Sequence, residues 1–312
     1  MADSVYDVLV LGSGPAGAMA AVYAVRDGAR TLLFTGPSIG GQLASTTEVE
    51  NFPAFPGSVA GVDLAMKIFE QPKSIGADIV YDSAVAVDFS SRPFVCETAE
   101  RSYRSSNVVI ATGAVPKSLG VRGEEKFRGF GVSSCALCDG NFFKNQPVAV
   151  VGGGETAALE ALHMAQLASR VYLLYRRDRF SRIPGTLAKR LESNDKIDIM
   201  FSSEILEICG REKPRSVESL EVLSGKTGQR SRIDVRAVFM AIGLEPQSGL
   251  FRGSGLAMDG GGYIITDRDS ARTNIRNVYA AGDVTNKKYR QAVLAAAYGA
   301  IAALEIREDS DQ

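Results

Sequence analysis

Short runs of consecutive apolar residues recur along this chain, separated by longer stretches in which small apolar and polar positions mix. The first run, Asp7-Val8-Leu9-Val10-Leu11, has the unbroken hydrophobicity of a parallel strand buried on both faces. A glycine-rich turn follows, and Pro15 stands where a helix can begin. The pattern predicts a helix from about Ala16 to Asp27, with small residues for close packing and Gly28 as its stop. Residues 31–35, Thr-Leu-Leu-Phe-Thr, predict a second strand, which completes a β-α-β unit.

The same grammar returns later. Pro147 precedes the run Val148 to Val151, a glycine loop follows, and a helix is predicted from about Thr156 to Ala168. Arg170 to Tyr175 reads as the returning strand. This repetition predicts an α/β chain with a duplicated nucleotide-binding architecture. Three more apolar runs, Val108 to Ala114, Val238 to Leu244 and Asn277 to Val284, each contain or end near a glycine where a nucleotide or a neighbouring backbone comes close. Their plainer reading is three ordinary buried strands with turns, and the pattern alone does not choose. A last helix is predicted around Gln291 to Gly299, with Arg307 to Gln312 as a frayed tail.

Bulk properties narrow the function classes. The 312 residues suffice for two domains of ordinary size. A net charge of −1 gives no charge excess that would favour nucleic acid or an anionic membrane as partner. No apolar run approaches the ~20 residues of a spanning helix, and the stretch from Met1 to Asp7 lacks the basic start of a signal peptide. Of the four cysteines, Cys96 and Cys209 are isolated in strand-like runs and read as small buried hydrophobes. Cys135 and Cys138 form a C-x-x-C, which without a secretion signal suggests redox work or metal binding. His163 is the single histidine and no second C-x-x-C exists, so no metal site is expected. His163 itself reads as a structural residue of the helix behind the second loop.

The glycine loops carry the candidate chemistry. In Gly12-Ser13-Gly14-Pro15-Ala16-Gly17, the first glycine permits the tight turn, the second admits a diphosphate and the third allows close helix–strand packing. The second loop, Gly152-Gly153-Gly154-Glu155-Thr156-Ala157, differs at its last position. Neither returning strand ends in the carboxylate that holds a ribose, for the two ends read Phe34-Thr35-Gly36 and Tyr175-Arg176-Arg177. Arg176 and Arg177 suit a 2′-phosphate by charge and bidentate geometry, which favours NADPH over NADH; otherwise they are a solvated surface pair. Cys135 and Cys138 can open and close a small ring with little backbone movement, and a helix start there would stabilise a thiolate. Asp139, the ionisable neighbour, is either a proton donor and acceptor for a departing sulfur or a plain cap or surface carboxylate.

Taken together these motifs resemble those of the low-molecular-weight, bacterial-type thioredoxin reductases. The resemblance rests on the Gly12 loop, on Gly40-Gly41-Gln42-Leu43 with Thr46-Thr47-Glu48-Val49-Glu50-Asn51-Phe52-Pro53, on Cys135-Ala136-Leu137-Cys138-Asp139-Gly140, and on Gly282-Asp283-Val284 followed by Arg290-Gln291-Ala292. It covers nearly the whole chain. It implies two Rossmann-like, three-layer ββα domains: a discontinuous FAD domain at 1–115 and 247–312, with an NADPH domain at 116–246 inserted and carrying the dithiol.

The resemblance also implies roles. Cys138 would sit next to the flavin, Cys135 would attack the disulfide of thioredoxin, and Asp139 would be the acid/base. FAD would be held by Gly12, Ser13, Gly14, Pro15, Ala16, Thr35, Gly36, Gly41, Gln42, Leu43, Thr46, Asn51, Ala111, Thr112, Gly113, Gly282, Asp283, Arg290, Gln291 and Ala292. NADPH would be held by Gly152, Gly154, Glu155, Thr156, Arg176, Arg177, Ile242 and Gly243. A rotation on linkers near Gly113 and Gly243 would bring nicotinamide and dithiol to one flavin in turn. A cytoplasmic homodimer is implied as well.

The chain departs from the pattern mainly in the nicotinamide half. Tyr175 replaces a customary histidine, the third arginine is displaced to Arg179 or Arg182, and Glu155-Thr156 stands where Asp-Ser is common. An alternative therefore stays open, in which the same flavin and dithiol draw electrons from ferredoxin or a reduced flavin.

Overall fold

The computed structural model describes residues 5–46, 48–181, 183–267, 269–285 and 288–310. Thr47 of the flavin-loop motif, Arg182 of the arginine segment, the stretch Met1 to Ser4 and the final Asp311 and Gln312 lie outside the described residues. The chain divides into two compact units, one formed by Met1–Val115 with Leu244–Gln312 and the other by Pro116–Gly243. Six α-helices occur among the described residues: α1 (Pro15–Arg26), α2 (Gly61–Ser74), α3 (Ala136–Asp139), α4 (Glu155–Leu167), α5 (Gly185–Glu192) and α6 (Ala292–Ser310).

The first unit is built on a seven-stranded sheet. Strand β1 (Tyr6–Leu11) lies between β2 (Thr31–Phe34) and the strand Ser102–Ile110, parallel to both. Strand order reverses at β1, so the Gly12 loop leaves from a topological switch point, where open α/β sheets bind ligands. The unbroken apolar run of β1 has the predicted cause. Val8 and Val10 pack towards the helices, whereas Leu9 and Leu11 pack on the opposite face with Phe94 and Phe251.

Ser102–Ile110 has three partners. Its C-terminal part pairs with β1 and with the parallel strand Val278–Ala280, and its N-terminal part pairs antiparallel with Phe94–Glu97. That last strand pairs in turn with Ala86–Asp88, and the two form the antiparallel wing. Helix α1 presents Ala16, Ala20, Ala21 and Ala24 to the core, and α6 crosses it closely. At Gly299 an added Cβ would lie 1.9 Å from the Ala16 carbonyl oxygen.

The second unit repeats the plan. Its five-stranded sheet runs in the order Val132–Ser133, Ala237–Met240, Pro147–Val151, Arg170–Tyr175 and Ile197–Phe201, with every pair parallel. The second glycine loop again leaves a strand flanked on both sides. Helices α4 and α5 cover one face, where Ala157, Ala161, Met164 and Leu191 are buried. A three-stranded antiparallel sheet, Ser203–Glu212, Arg215–Ser224 and Arg230–Asp234, covers the other through Ile208, Val217 and Leu220. Both units thus have the Rossmann-like plan that the resemblance implies, a parallel sheet with a glycine loop leaving its middle strand, and in the second unit the three layers are complete.

The run Val108 to Ala114 is, as expected, a buried strand that ends in a small-residue turn: pairing stops at Ile110, and Gly113 turns the chain at a φ of 72°. The run Val238 to Leu244 stops at Met240, and Gly243 turns at a φ of 97°. Beyond these turns Ala114–Pro116 pairs with Leu244–Pro246, so the two crossing segments run side by side.

Two expectations need correction. First, the final helix does not end near Gly299, and Arg307 to Ser310 is helical rather than frayed. Asp309 accepts from the Tyr279 hydroxyl at 2.5 Å and from Arg272 Nε at 3.1 Å, which anchors the last turn. The Arg272 guanidinium holds the Asp309 carboxyl below its ordinary range, and burial pushes the Tyr279 hydroxyl up. Second, Cys209 is half-buried rather than buried. Cys96, in the strand Phe94–Glu97, is fully buried, and desolvation pushes its thiol up to about 12.

Candidate active site and nucleotide loops

In the second unit Cys135 and Cys138 are joined in a disulfide, with Cα atoms 5.3 Å apart. Cys135 caps α3 in an extended conformation, and its sulfur accepts from the Cys138 amide at 3.2 Å. The helix start expected at the dithiol is present, but α3 is only one turn long. Its dipole is correspondingly small. Both cysteines are half-buried, while Leu137 between them is exposed. Gly140 ends this segment against α4, for a Cβ there would lie 2.7 Å from the Met164 sulfur.

Asp139 is neither a cap nor a surface carboxylate. Its Oδ2 accepts from the Ser133 hydroxyl at 2.6 Å, and its Oδ1 is buried with no hydrogen-bond partner. Burial raises its pKa, and the Ser133 bond opposes that shift. A carboxyl held this way keeps its proton closer to neutrality than an exposed aspartate. A carboxyl of this kind, next in the chain to Cys138, is chemically able to give and take a proton.

A second carboxyl lies on α4, which packs against this segment. The Oε2 of Glu160 is buried without a hydrogen-bond partner. Burial pushes Glu160 up to about 7. Sequence reasoning missed both Ser133 and Glu160. The available signal for Glu160 was a charge amid the apolar stripe of Ala157, Ala161, Met164 and Ala165. His163 is half-buried on the same helix.

The second glycine loop opens α4. Gly152 has a φ of 149°, and a Cβ there would lie 2.4 Å from the Ala241 oxygen. Gly154 caps the helix in an extended conformation, and an added Cβ would meet nothing within 4 Å. Glu155, Thr156, Arg176 and Arg177 are exposed around it, as is Arg179. Ile242 is half-buried, and the Gly243 oxygen accepts from the Lys117 amide at 3.0 Å. The Tyr175 ring lies over Gly153, where a Cβ would come within 1.9 Å of it, and stacks on Phe180 at 5.9 Å.

The first unit gathers its loops around Gly14. The Ser13 hydroxyl donates to the Thr35 oxygen at 2.7 Å and accepts from the Gly40 amide at 3.1 Å. Gly41 crosses close by, for a Cβ there would lie 3.4 Å from the Gly14 Cα. Gly12 presses on Ala111, and Gly282 presses on Ala16, where a Cβ would meet the alanine methyl at 2.9 Å. Pro15 and Ala16 open α1, and Gly36 turns the chain after Thr35 at a φ of 71°.

The Gln42 amide donates to the Ala114 oxygen, and Thr46 donates to the Gln42 oxygen at 3.3 Å. Leu43 packs against Ala292 at the start of α6. Asn51 donates to the Gln291 side chain at 2.9 Å, and Thr112 donates to the Gln247 oxygen at 2.7 Å. Asp283 is pushed up to about 6 by burial, with Arg290 opposing. Arg290 donates to the Tyr263 hydroxyl at 2.8 Å, yet its buried Nε has no partner. Sequence reasoning missed Tyr263.

These residues fit a bound dinucleotide. A side chain at Gly17 would put its Cβ 1.7 Å from the Gly12 oxygen, so backbone fills the place between strand and helix and the loop amides line its open side. The partnerless Arg290 Nε and the desolvated Asp283 await polar groups from a ligand.

Two loops of the dinucleotide type and one intrachain disulfide define a class: oxidoreductases that pass electrons between a nicotinamide and a disulfide. The chain belongs to the pyridine nucleotide-disulphide oxidoreductase family, whose model matches residues 6–299. It is 46% identical over 299 residues to the thioredoxin reductase of Rickettsia conorii, with 96% of each chain covered. A solved thioredoxin reductase from Streptococcus pyogenes superposes with a TM-score of 0.91 at 35% identity, covering 99% of both chains. One from Giardia duodenalis gives 0.90 at 34%, covering 98% of this chain and 99% of that one. The chain is an oxidoreductase and a flavoprotein, with FAD and NADPH as cofactors. Among the described residues no helix is long and apolar enough to cross a membrane.

Proposed function

We propose that this protein reduces the disulfide of a thioredoxin at the expense of NADPH. The observation that carries the reading is the Cys135–Cys138 disulfide with the buried, partly unpartnered Asp139 beside it. In this reading the discontinuous unit holds FAD. The diphosphate rests on the Gly12–Ala16 loop, Asp283 meets the ribityl chain, and Arg290 to Ala292 reach the ring. The inserted unit holds NADPH, with its diphosphate on the Gly152–Thr156 loop and its 2′-phosphate on Arg176 and Arg177. Bound FAD supplies the two-electron path from nicotinamide to the disulfide.

The chain's own residues then carry out the exchange. In the reduced pair, the Cys135 thiolate attacks one sulfur of the thioredoxin disulfide and forms a mixed disulfide. The other thioredoxin sulfur leaves and takes a proton. Cys138 attacks the Cys135 sulfur, releases the second thioredoxin thiol and re-forms the intrachain disulfide. Asp139 handles the proton that Cys138 gives up. Each turn consumes one reduced pair, with Cys135 as thiolate and Cys138 as thiol, together with one further proton, and yields the intrachain disulfide and two thioredoxin thiols.

Dithiol and second glycine loop belong to the same unit, whereas the flavin loops belong to the other. We infer a rotation of one unit against the other on the paired segments at Gly113 and Gly243. A cross-link that locks the units should stop turnover, and a locked enzyme with full activity overturns the rotation. By likeness to the family, we take the working form to be a cytoplasmic homodimer with no nucleic-acid partner.

Stopped-flow reduction of the purified protein tests the main reading. NADPH should bleach the flavin band much faster than NADH, and thioredoxin should restore it. A polypeptide that takes up no FAD, or one reduced only by ferredoxin or free reduced flavin, overturns it.

A further inference from the structure

Two short strands, Ala114–Pro116 and Leu244–Pro246, carry the chain between the units, and each begins just after a turning glycine, Gly113 or Gly243. In both, the carbonyl next to that glycine is held by a side chain of the discontinuous unit. The Gln42 amide donates to the Ala114 oxygen, and the Tyr263 hydroxyl donates to the Leu244 oxygen at 3.3 Å. Gln42 follows Gly41, which crosses Gly14 in the first loop. Tyr263 reaches the flavin residues through Arg290, which donates to the same hydroxyl at 2.8 Å.

Tyr263 is buried, and a phenylalanine would fill the same space without a polar atom to satisfy. The hydroxyl has two partners in series: a guanidinium donates to it, and it donates to a carbonyl. A hydroxyl polarised by a cation donates more strongly, so the state of Arg290 is felt at Leu244. The backbone fixes where the ring stands. The Tyr263 amide donates to Asp259 Oδ1 at 3.0 Å, and its oxygen accepts from the Asp259 amide at 2.9 Å. The next residue, Ile264, donates to the Val284 oxygen at 3.0 Å, one place along from Asp283. Arg290 in turn keeps a buried Nε without a partner, the atom of this series left for a ligand.

We propose that Tyr263 is a positioning residue that links the flavin site to the hinge: its hydroxyl holds Arg290 in place and passes that hold to the Leu244 carbonyl, as Gln42 holds the Ala114 carbonyl of the other crossing segment. The inference rests on the reading of Arg290 as a flavin residue and of the two glycines as pivots. A ribbon gripped at both carbonyls is firm on its flavin side, so bending is confined to Gly113 and Gly243. A chain whose Arg290 is misplaced has a looser ribbon, which couples the order of the flavin site to the hinge that must serve it.

The test is amide hydrogen exchange on the full chain with FAD bound, in the parent, Tyr263→Phe, Arg290→Ala and the double variant. The amides read are Gln247, which donates to the Gly113 oxygen at 2.9 Å, and Lys117, which donates to the Gly243 oxygen at 3.0 Å. The strand Tyr6–Leu11 of the same unit serves as reference. Tyr263→Phe keeps the ring and loses both hydroxyl bonds, so the two ribbon amides should exchange roughly tenfold faster while the reference stays at the parent's rate. Arg290→Ala should speed the same two amides about threefold, and should add nothing in the Tyr263→Phe background. Parent-like ribbon exchange in either single variant overturns the proposal. Additive effects in the double variant overturn it as well, for Arg290 would then act by another route. So does a rise shared equally by Tyr6–Leu11, which would make the hydroxyl a general support of the fold. A parent that takes up no FAD defeats the flavin reading instead, and the four-way comparison repeated on the flavin-free chains still decides whether Tyr263 joins Arg290 to the ribbon.

Discussion

The glycine loops at Gly12 and Gly152 share a strand, a turn and a helix, and each presses its first glycine onto a neighbouring carbonyl, Ala111 in one unit and Ala241 in the other. Their surroundings differ. The Gly12 loop is interlocked: Ser13 is buried and bonded twice, Gly41 crosses over Gly14, and Gly17 leaves no room for a methyl group. The Gly152 loop is covered by the Tyr175 ring at Gly153 but open beyond it: Ala157 replaces the third glycine, nothing crowds Gly154, and its flanking polar and basic side chains are exposed. A site knitted from several loops releases its ligand slowly, because the loops must part. An exposed one exchanges easily. The contrast is that of a resident prosthetic group and a visiting cosubstrate, which is what successive rounds of reduction require.

The largest expected effect concerns the sulfurs that connect the two sites. Cys138→Ser should lower thioredoxin turnover by at least roughly a thousandfold while leaving flavin content unchanged. Retained turnover would remove the dithiol from the pathway.

Next come the glycines. Gly17→Ala forces a methyl into backbone and should cost about 3 kcal/mol or more, read as a lower melting temperature and loss of bound FAD. Gly154→Ala should leave melting and flavin content near the parent's and raise the KM for NADPH. Equal damage from both would erase the contrast between the loops.

Replacing Arg176 and Arg177 by alanine should cut the preference for NADPH over NADH at least tenfold, since each charge-assisted bond contributes roughly 1.5–3 kcal/mol. Unchanged preference would return both arginines to the solvated surface.

The smallest effect is at Asp283. Its folded pKa, about 6, lies above that of an unfolded aspartate. The proton it binds on folding favours the folded state at low pH. That contribution is lost as pH rises through about 6, and above it the ionised form costs stability. Asp283→Asn should therefore raise the stability of the flavin-free protein at pH 8 by on the order of 2 kcal/mol, and should match the parent near pH 4. Flavin affinity should fall in the same variant. A variant no more stable at pH 8 would show that Asp283 is not desolvated.

Much of this fold is legible in the chain because strands buried on both faces leave unbroken apolar runs, as at Val8 to Leu11 and Val148 to Val151. The antiparallel layer Ser203 to Asp234 is not legible in that way, for its strands alternate buried and exposed positions among many charges. The length of α6 was hidden too. Its final turn is acidic, and only contact with Arg272 and Tyr279, distant in sequence, holds it. In the site, glycines and cysteines announce themselves by spacing. Ser133, Glu160 and Tyr263 do not, because their roles come from tertiary neighbours.

The three-way pairing of Ser102–Ile110 bears on how the polypeptide is made. Val278 must reach Val108, so this sheet lacks a strand, and α1 lacks its cover, until the stretch from Val278 through α6 has been translated. The inserted unit has all its strands in one continuous stretch and is complete much earlier. At elongation rates of ~5–20 residues per second, the thiol-bearing half has several seconds to fold before its older neighbour can close. Flavin capture is then a late event, after α6 has been made, and cells starved of riboflavin should accumulate a chain whose inserted half is already protease-resistant.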